Sequence, residues 1–241
     1  MRTLVGAVSF LTILQVRAKP VPPGRAAIFF PLVGAAIGGA GAAIFLGAGK
    51  ILPSSLASLL TVAFWTAISG VWHEDGLAGA ADAMRAGRTR ERMVAILKDS
   101  RIGTFGAVAI MLGVLARWQA LDHLATPRVW EALIASQAVP RAAMVAMAWI
   151  SRPSGTGLGL AFSSTLSTPA ALGAMAQGVA VAFLCGLRPG VLILAGGYGL
   201  IRGVQMCFYH RIGGVNGDCL GTTEQLMEIY ILVLFACRDC T

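Results

Sequence analysis

The sequence predicts an all-α, polytopic transmembrane helix bundle, and three observations carry that reading. Of the 241 residues, 56% are hydrophobic and only 12% charged, and the mean hydropathy is +0.75, well above soluble norms. Several apolar stretches approach the roughly 20 residues a helix needs to cross a bilayer. The few ionised residues are bunched between those stretches, which keeps charge out of hydrocarbon. Only helices or closed barrels satisfy the backbone in lipid, and no period-two alternation is present, so helices remain.

The chain opens with Arg2 and an apolar run over 4–14 that resembles a signal peptide but lacks a small-x-small cleavage site before Lys19 and Pro20. It is read as retained and, being too short to span, as a membrane-associated helix that dips or packs. Spans are then predicted over 28–46, 52–72, 102–118, 130–150, 169–187, 191–208 and 226–237, about six or seven in all, the last being short. Gly34, Gly38, Gly39, Gly41, Ala42 and Ala43 give the first span a face on which another helix can approach closely. Gly196, Gly197, Gly199 and Gly203 have a spacing typical of tight helix contacts and read so rather than as a nucleotide loop. No long linker, repeat or low-complexity segment divides the spans, so residues 1–241 are expected to form a single integral membrane domain.

The net charge of +8 belongs to Arg and Lys beside apolar runs, where they orient helices and meet anionic lipid, so nucleic acid is not an expected partner. Arg17, Lys19 and Arg25 precede the first span. Arg85, Arg88, Arg90, Arg92, Lys98 and Arg101 crowd the loop before the third, and two intervening spans put both groups on one side, the cytoplasmic one. Alternation brings the loops 151–168 and 209–223 to that side, with Thr156 and Asp218. Of five cysteines, only Cys237 and Cys240 have ligand-like spacing. A lone C-x-x-C without a second pair or nearby His reads as packing or lipid-facing thiols rather than zinc.

The densest chemistry is the run from His73 to Asp82, which follows the second span with no proline between and is expected to continue it as helix. Asp75 and Asp82 are seven residues apart, which at 3.6 residues per turn returns nearly to the same face. Two hard carboxylates on one face suit magnesium, which keeps waters and takes further ligands from phosphates; the plain alternative is a solvated helix face. His73 could ligate metal, act as a base or cap its helix. Downstream, Lys98, Asp99 and Arg101 are interleaved with Ser100, Gly103, Thr104 and Gly106 at the start of a membrane helix, where phosphate oxygens are favoured. Arg85, Arg88 and Arg90 serve equally well as topological charges.

A third cluster, with Gly213, Asn216, Asp218, Glu224 and Glu228, reads as a turn-rich loop opening into the last helix, where Thr222 and Gln225 have capping-box spacing. Glu224 and Glu228 lie one turn apart on an apolar helix, which calls for a metal, a cation or a polar substrate. Arg141, inside an apolar stretch, needs a carboxylate or a phosphate, and an ion pair with Asp99 or a glutamate serves as well as any ligand.

In this order and spacing the clusters resemble those of the cobalamin synthase family, the adenosylcobinamide-GDP ribazoletransferases. The resemblance covers nearly the whole chain, including Phe10 to Leu14 and Phe30 to Gly34. It implies a multi-pass enzyme of the cytoplasmic (inner) membrane, its site facing the cytoplasm. It also implies magnesium-dependent transfer from adenosylcobinamide-GDP to α-ribazole or its 5′-phosphate with release of GMP. Asp75 and Asp82 become the metal ligands, with His73 beside them in the catalytic group. Lys98, Asp99, Arg101, Arg141, Asn216, Asp218, Glu224 and Glu228 become substrate contacts. The partners expected are these substrates and the lipid bilayer; a homo-oligomer is left open. The family pattern D-G-L-A-D-x-x-D meets Gly79 where its middle Asp is expected; Glu74 does not replace it, sitting about 100° around the helix from Asp75, and Asp218, Glu224 or Glu228 is left to complete the metal shell. A transporter would place its charges near the midplane. A CDP-alcohol-type phosphotransferase would need D-G-x-x-A-R, and no Arg follows Asp75 at that place.

Overall fold

Apolar composition and the need to satisfy every backbone group fold this chain into helices throughout its described part, which in this computed structural model comprises residues 1–16, 21–155 and 157–237. Arg17, Lys19, Pro20, Thr156 and Cys240 lie outside the described residues. The helices are α1 (Arg2–Leu11), α2 (Pro23–Ala26), α3 (Phe30–Ala48), α4 (Ser54–Ser69), α5 (Trp72–Ala86), α6 (Arg90–Ile96), α7 (Thr104–Asp122), α8 (Val129–Ile150), α9 (Leu158–Thr165), α10 (Thr168–Leu184), α11 (Leu187–Ile212) and α12 (Gly217–Ala236). Five are long and apolar enough to cross a membrane, or seven if each of two bent pairs counts as one span. The chain is a multi-pass membrane protein, and α1 packs on α2 and α3 through Ala7, Leu11 and a stack of Phe10 on Phe30.

Helix α8 is the centre of the bundle, buried along most of its length and packed by α3, α10 and α12. Gly34 and Gly38 of α3 lie so close to the α8 backbone at Gln137 and Leu133 that no side chain fits, which realises the small-residue face read from sequence. Helix α11 divides differently: Gly196 and Gly197 meet Tyr230 and Met227, whereas Gly199 and Gly203 face open space.

Three boundaries depart from the sequence reading. The acidic helix does not continue the second span, because Gly70 (φ 67°) and Val71 (φ 65°) both turn left-handed and set α5 at 87° to α4. A second bend, of 100°, separates α9 from α10. The last helix begins at Gly217, not near Thr222: Asn216 caps it by accepting from the Cys219 N–H at 3.1 Å, and Thr222, inside the helix, donates to the Gly76 carbonyl at 3.2 Å. Glu224 and Glu228 therefore lie deep in the helix and are almost wholly buried.

Candidate active site

Helices α5 and α12 cross with glycine on glycine. A Cβ on Gly76 would lie 3.0 Å from the Gly221 Cα, so the backbones approach as only glycines allow. That crossing carries Asp75 and Gly79 of α5 to the first turn of α12, where a Cβ on Gly79 would meet Asp218 Oδ1 at 2.7 Å. The segment 151–155 is tied alongside: the Ser154 N–H donates to the Val215 carbonyl at 2.7 Å, and the Val215 N–H to that of Arg152 at 3.0 Å.

These elements enclose a cavity of about 800 Å³ at one end of the bundle, a size suited to a nucleotide-sized ligand. Asp75, Asp218 and Asn216 supply its acidic and amide wall, and the Asn216 amide donates to Asp218 Oδ2 at 2.6 Å. Arg90 and Lys98 of the α6 segment supply cations, Ser154 and Gly155 a hydroxyl and open backbone, and Trp72, Val94, Leu97 and Leu158 apolar surface. A smaller cavity of about 250 Å³ adjoins it, again lined by Asp75, Lys98 and Asp218, and also by Gly79, Asp82, Asp99 and Arg101.

The structure thus gathers seven of the sequence-predicted site residues, Asp75, Asp82, Lys98, Asp99, Arg101, Asn216 and Asp218, around adjoining polar cavities, though Asp82 has its own task. Its Oδ2 accepts from the Gly103 N–H at 2.7 Å and its Oδ1 from the Gly106 N–H at 2.9 Å, so this buried carboxylate caps α7 from outside. Asp99 and Arg101 lie on the rim and are bound to each other at 2.7 Å. The Arg101 hydrogen bonds hold the Asp99 carboxyl down to about 2.

His73 is buried behind the wall and lines neither polar cavity. Arg141, Glu224 and Glu228 line neither cavity either. Arg141 pairs with Glu224, the glutamate ion-pair alternative stated for it, and Glu228 lies 3.5 Å from Arg117. The reason is depth: side chains in mid-bundle reach one another, not the cavity at its end.

Arg117, one of the largest buried side chains, was missed by sequence reasoning, and so was its 3.0 Å pairing with Glu74. A charge inside the third apolar stretch was the available signal, the same one that singled out Arg141. From sequence Arg90 serves equally well as a phosphate contact or as a topological charge, and nothing local distinguishes it from its arginine neighbours.

Among the described residues no group of three or more His, Cys, Asp or Glu side chains gathers as a metal cage. Asp75 and Asp218, flanking the space that Gly79 leaves open, are instead a sparse pair of hard oxygen donors. That fits magnesium, which takes one or two carboxylates and completes its shell with water and phosphate.

Residues 3–236 match the profile of the cobalamin-5-phosphate synthase family. Three relatives bear the name adenosylcobinamide-GDP ribazoletransferase. That of Bradyrhizobium diazoefficiens is 36% identical, the match covering 95% of this chain and 91% of the relative. That of Vibrio parahaemolyticus is 33% identical over 93% and 88%, and that of Rhizobium meliloti 39% identical over 87% and 84%. No solved structure matches the chain.

Proposed function

The chain belongs to the cobalamin-5-phosphate synthase family, and on that premise we propose that it is a magnesium-dependent adenosylcobinamide-GDP ribazoletransferase of the cytoplasmic membrane. A hydroxyl of α-ribazole, or of its 5′-phosphate, attacks the phosphorus that carries the cobinamide. A P–O bond to ribazole forms, the anhydride P–O bond breaks, GMP leaves with the bonding pair, and the hydroxyl proton is released. The observation that carries the reading is one cavity presenting two carboxylates, Asp75 and Asp218, together with two cations, Arg90 and Lys98. A bound metal needs the first pair, and a diphosphate needs both.

Asp75 and Asp218 are the residues that would hold magnesium, with Asn216 orienting Asp218. The metal, when bound, supplies neutralisation of the negative charge that collects on the departing GMP. Lys98 binds phosphate oxygens as a point charge, and the Ser154 hydroxyl is a donor to the same anion. Asp82 positions: by holding Gly103 and Gly106 it fixes the start of α7 and with it the 98–103 segment that presents Lys98. Trp72, Leu97 and Leu158 give the non-phosphate portions of the substrates an apolar wall and displace water from the reacting group.

The cytoplasmic orientation rests on charge. Arg85, Arg88, Arg92, Arg101, Arg152 and Arg211 stand with Arg90 and Lys98 at the cavity end, against Lys50, Arg128 and Arg188 at the other. That asymmetry favours the cavity end as cytoplasmic, where soluble, phosphorylated substrates are met. A transporter is less well supported: the mid-bundle charges Glu74, Arg117, Arg141, Glu224 and Glu228 are engaged with one another and line neither polar cavity.

The test is GMP release from adenosylcobinamide-GDP by the purified protein in detergent, with α-ribazole phosphate present or absent, and with magnesium or EDTA. Release that requires both ribazole and magnesium is expected. No release from a folded sample overturns the reading.

A further inference from the structure

One of the two cavity cations, Arg90, has so far been counted only for its charge, with no part of the substrate assigned to it. Arg90 begins α6, and its guanidinium lies flat against Gly213: a Cβ built there would be 3.0 Å from Nη2, 3.3 Å from Cζ and 3.5 Å from Nη1. Gly213 has φ 79°, a conformation that favours glycine, so the turn ending α11 is shaped with room for this side chain.

Three other cations of the same end are engaged. Arg101 is bound to Asp99, Arg211 donates to the Met84 carbonyl at 2.7 Å, and Arg85 lies 5.7 Å from the Phe105 ring. Among the described residues no carboxylate comes within ion-pair distance of Arg90. A planar fork of donors, propped against a backbone turn at the wall of a cavity that also holds Lys98, Asp75 and Asp218, matches the paired oxygens of a diphosphate.

Resting on the transferase reading, we propose that Arg90 is the clamp for the nucleoside diphosphate portion of the guanylylated substrate, propped by Gly213, and that it takes no part in binding the ribazole. It selects the diphosphate-bearing substrate, whereas Lys98 gives non-directional attraction.

Arg90→Ala and Arg90→Lys test this, because the residue is exposed and neither change disturbs the core. Two readouts are needed: KM for each substrate, and the affinity of the detergent-purified protein for GDP alone, titrated calorimetrically with magnesium present. Arg90→Ala is expected to raise KM for adenosylcobinamide-GDP and the Kd for GDP alike, by about 10- to 100-fold, the range for lost charge-assisted hydrogen bonds. KM for α-ribazole phosphate is expected to stay put, and Arg90→Lys to recover only part of the loss. Unchanged GDP affinity in Arg90→Ala, full recovery in Arg90→Lys, equal change in both KM values, or no GDP binding by the unaltered protein would each overturn the proposal. Failure of the transferase reading is distinguishable: the unaltered protein would bind GDP in an Arg90-dependent way yet release no GMP.

Discussion

Arg117 of α7 holds its Nη1 3.0 Å from Glu74 Oε1 of α5 and 3.5 Å from Glu228 Oε1 of α12, all inside the bundle. Glu74 immediately precedes Asp75, so this pairing fixes the rotation of α5 that turns Asp75 to the cavity. Removing one partner of a buried pair leaves the other uncompensated, at about 3–5 kcal/mol. Arg117→Ala is therefore expected to lower thermal stability in detergent sharply. The triple change Arg117→Met, Glu74→Gln and Glu228→Gln, which leaves no charge behind, is expected to recover most of it. Thermal unfolding of the two variants decides, and a single variant as stable as the unaltered protein would count against the pairing.

How much of this was legible follows from the range of each cause. Span 28–46 is nearly α3, because length and apolarity are properties of the segment itself. Asp75 stands out because an acid abutting a membrane span is costly wherever the chain goes, whereas Asp218 stands out only as part of the turn-rich cluster before the last helix. The α4–α5 elbow was not legible: it depends on Val71 at φ 65°, which its β-branched side chain disfavours, and on tertiary packing that imposes it. Nor was the partner of Arg117, since Glu74 and Glu228 lie 43 and 111 residues away in sequence. Asn216 did carry a capping signal, hidden among the glycines around it, and Thr222 offered a competing one.

Asp82 is expected to behave as a cap and not as a metal ligand. Asp82→Asn turns an NH₂ group toward one of the two backbone N–H donors and is expected to destabilise by about 1–2 kcal/mol. It should also slow turnover by loosening the 98–103 segment, while Mn²⁺ binding, followed by electron paramagnetic resonance, stays unchanged. A large loss of Mn²⁺ affinity would return Asp82 to the metal shell.

Asp75→Asn and Asp218→Asn should behave in the opposite manner. Each is expected to keep the fold, yet to weaken Mn²⁺ binding by at least the roughly 10–100-fold that losing even an outer-shell partner costs. Gly79→Ala, whose Cβ would stand 2.7 Å from Asp218 Oδ1, pushes only the end of a flexible side chain. Its expected effect is a milder weakening of metal affinity with thermal stability retained. The same titrations measure all three variants, and EDTA treatment should abolish turnover of the unaltered protein.

Val71 stores strain at the elbow that forms one wall of the cavity. A left-handed conformation costs a residue with a Cβ about 1–2 kcal/mol, and more crowding attends a β-branched one. Relief of that strain in Val71→Gly outweighs the added freedom of the unfolded chain, which for glycine is about 0.4–1 kcal/mol. A small gain in thermal stability in detergent is therefore expected, and a clear loss would mean that the Val71 side chain holds the elbow through its contacts.

Membrane orientation follows from the same crowd of arginines. Single cysteines placed at Arg88 and at Ser154, on a background with the exposed Cys207 replaced, are expected to be shielded from an impermeant maleimide in intact cells and to react after permeabilisation. A cysteine at Lys50, beyond the far end of α3, should react in intact cells. Translocating the segment with Arg85, Arg88, Arg90, Arg92, Lys98 and Arg101 is far less favourable than translocating the sparsely charged opposite loops. The reverse labelling pattern would turn the cavity away from the compartment that holds nucleotide substrates, and the transferase reading could not survive it.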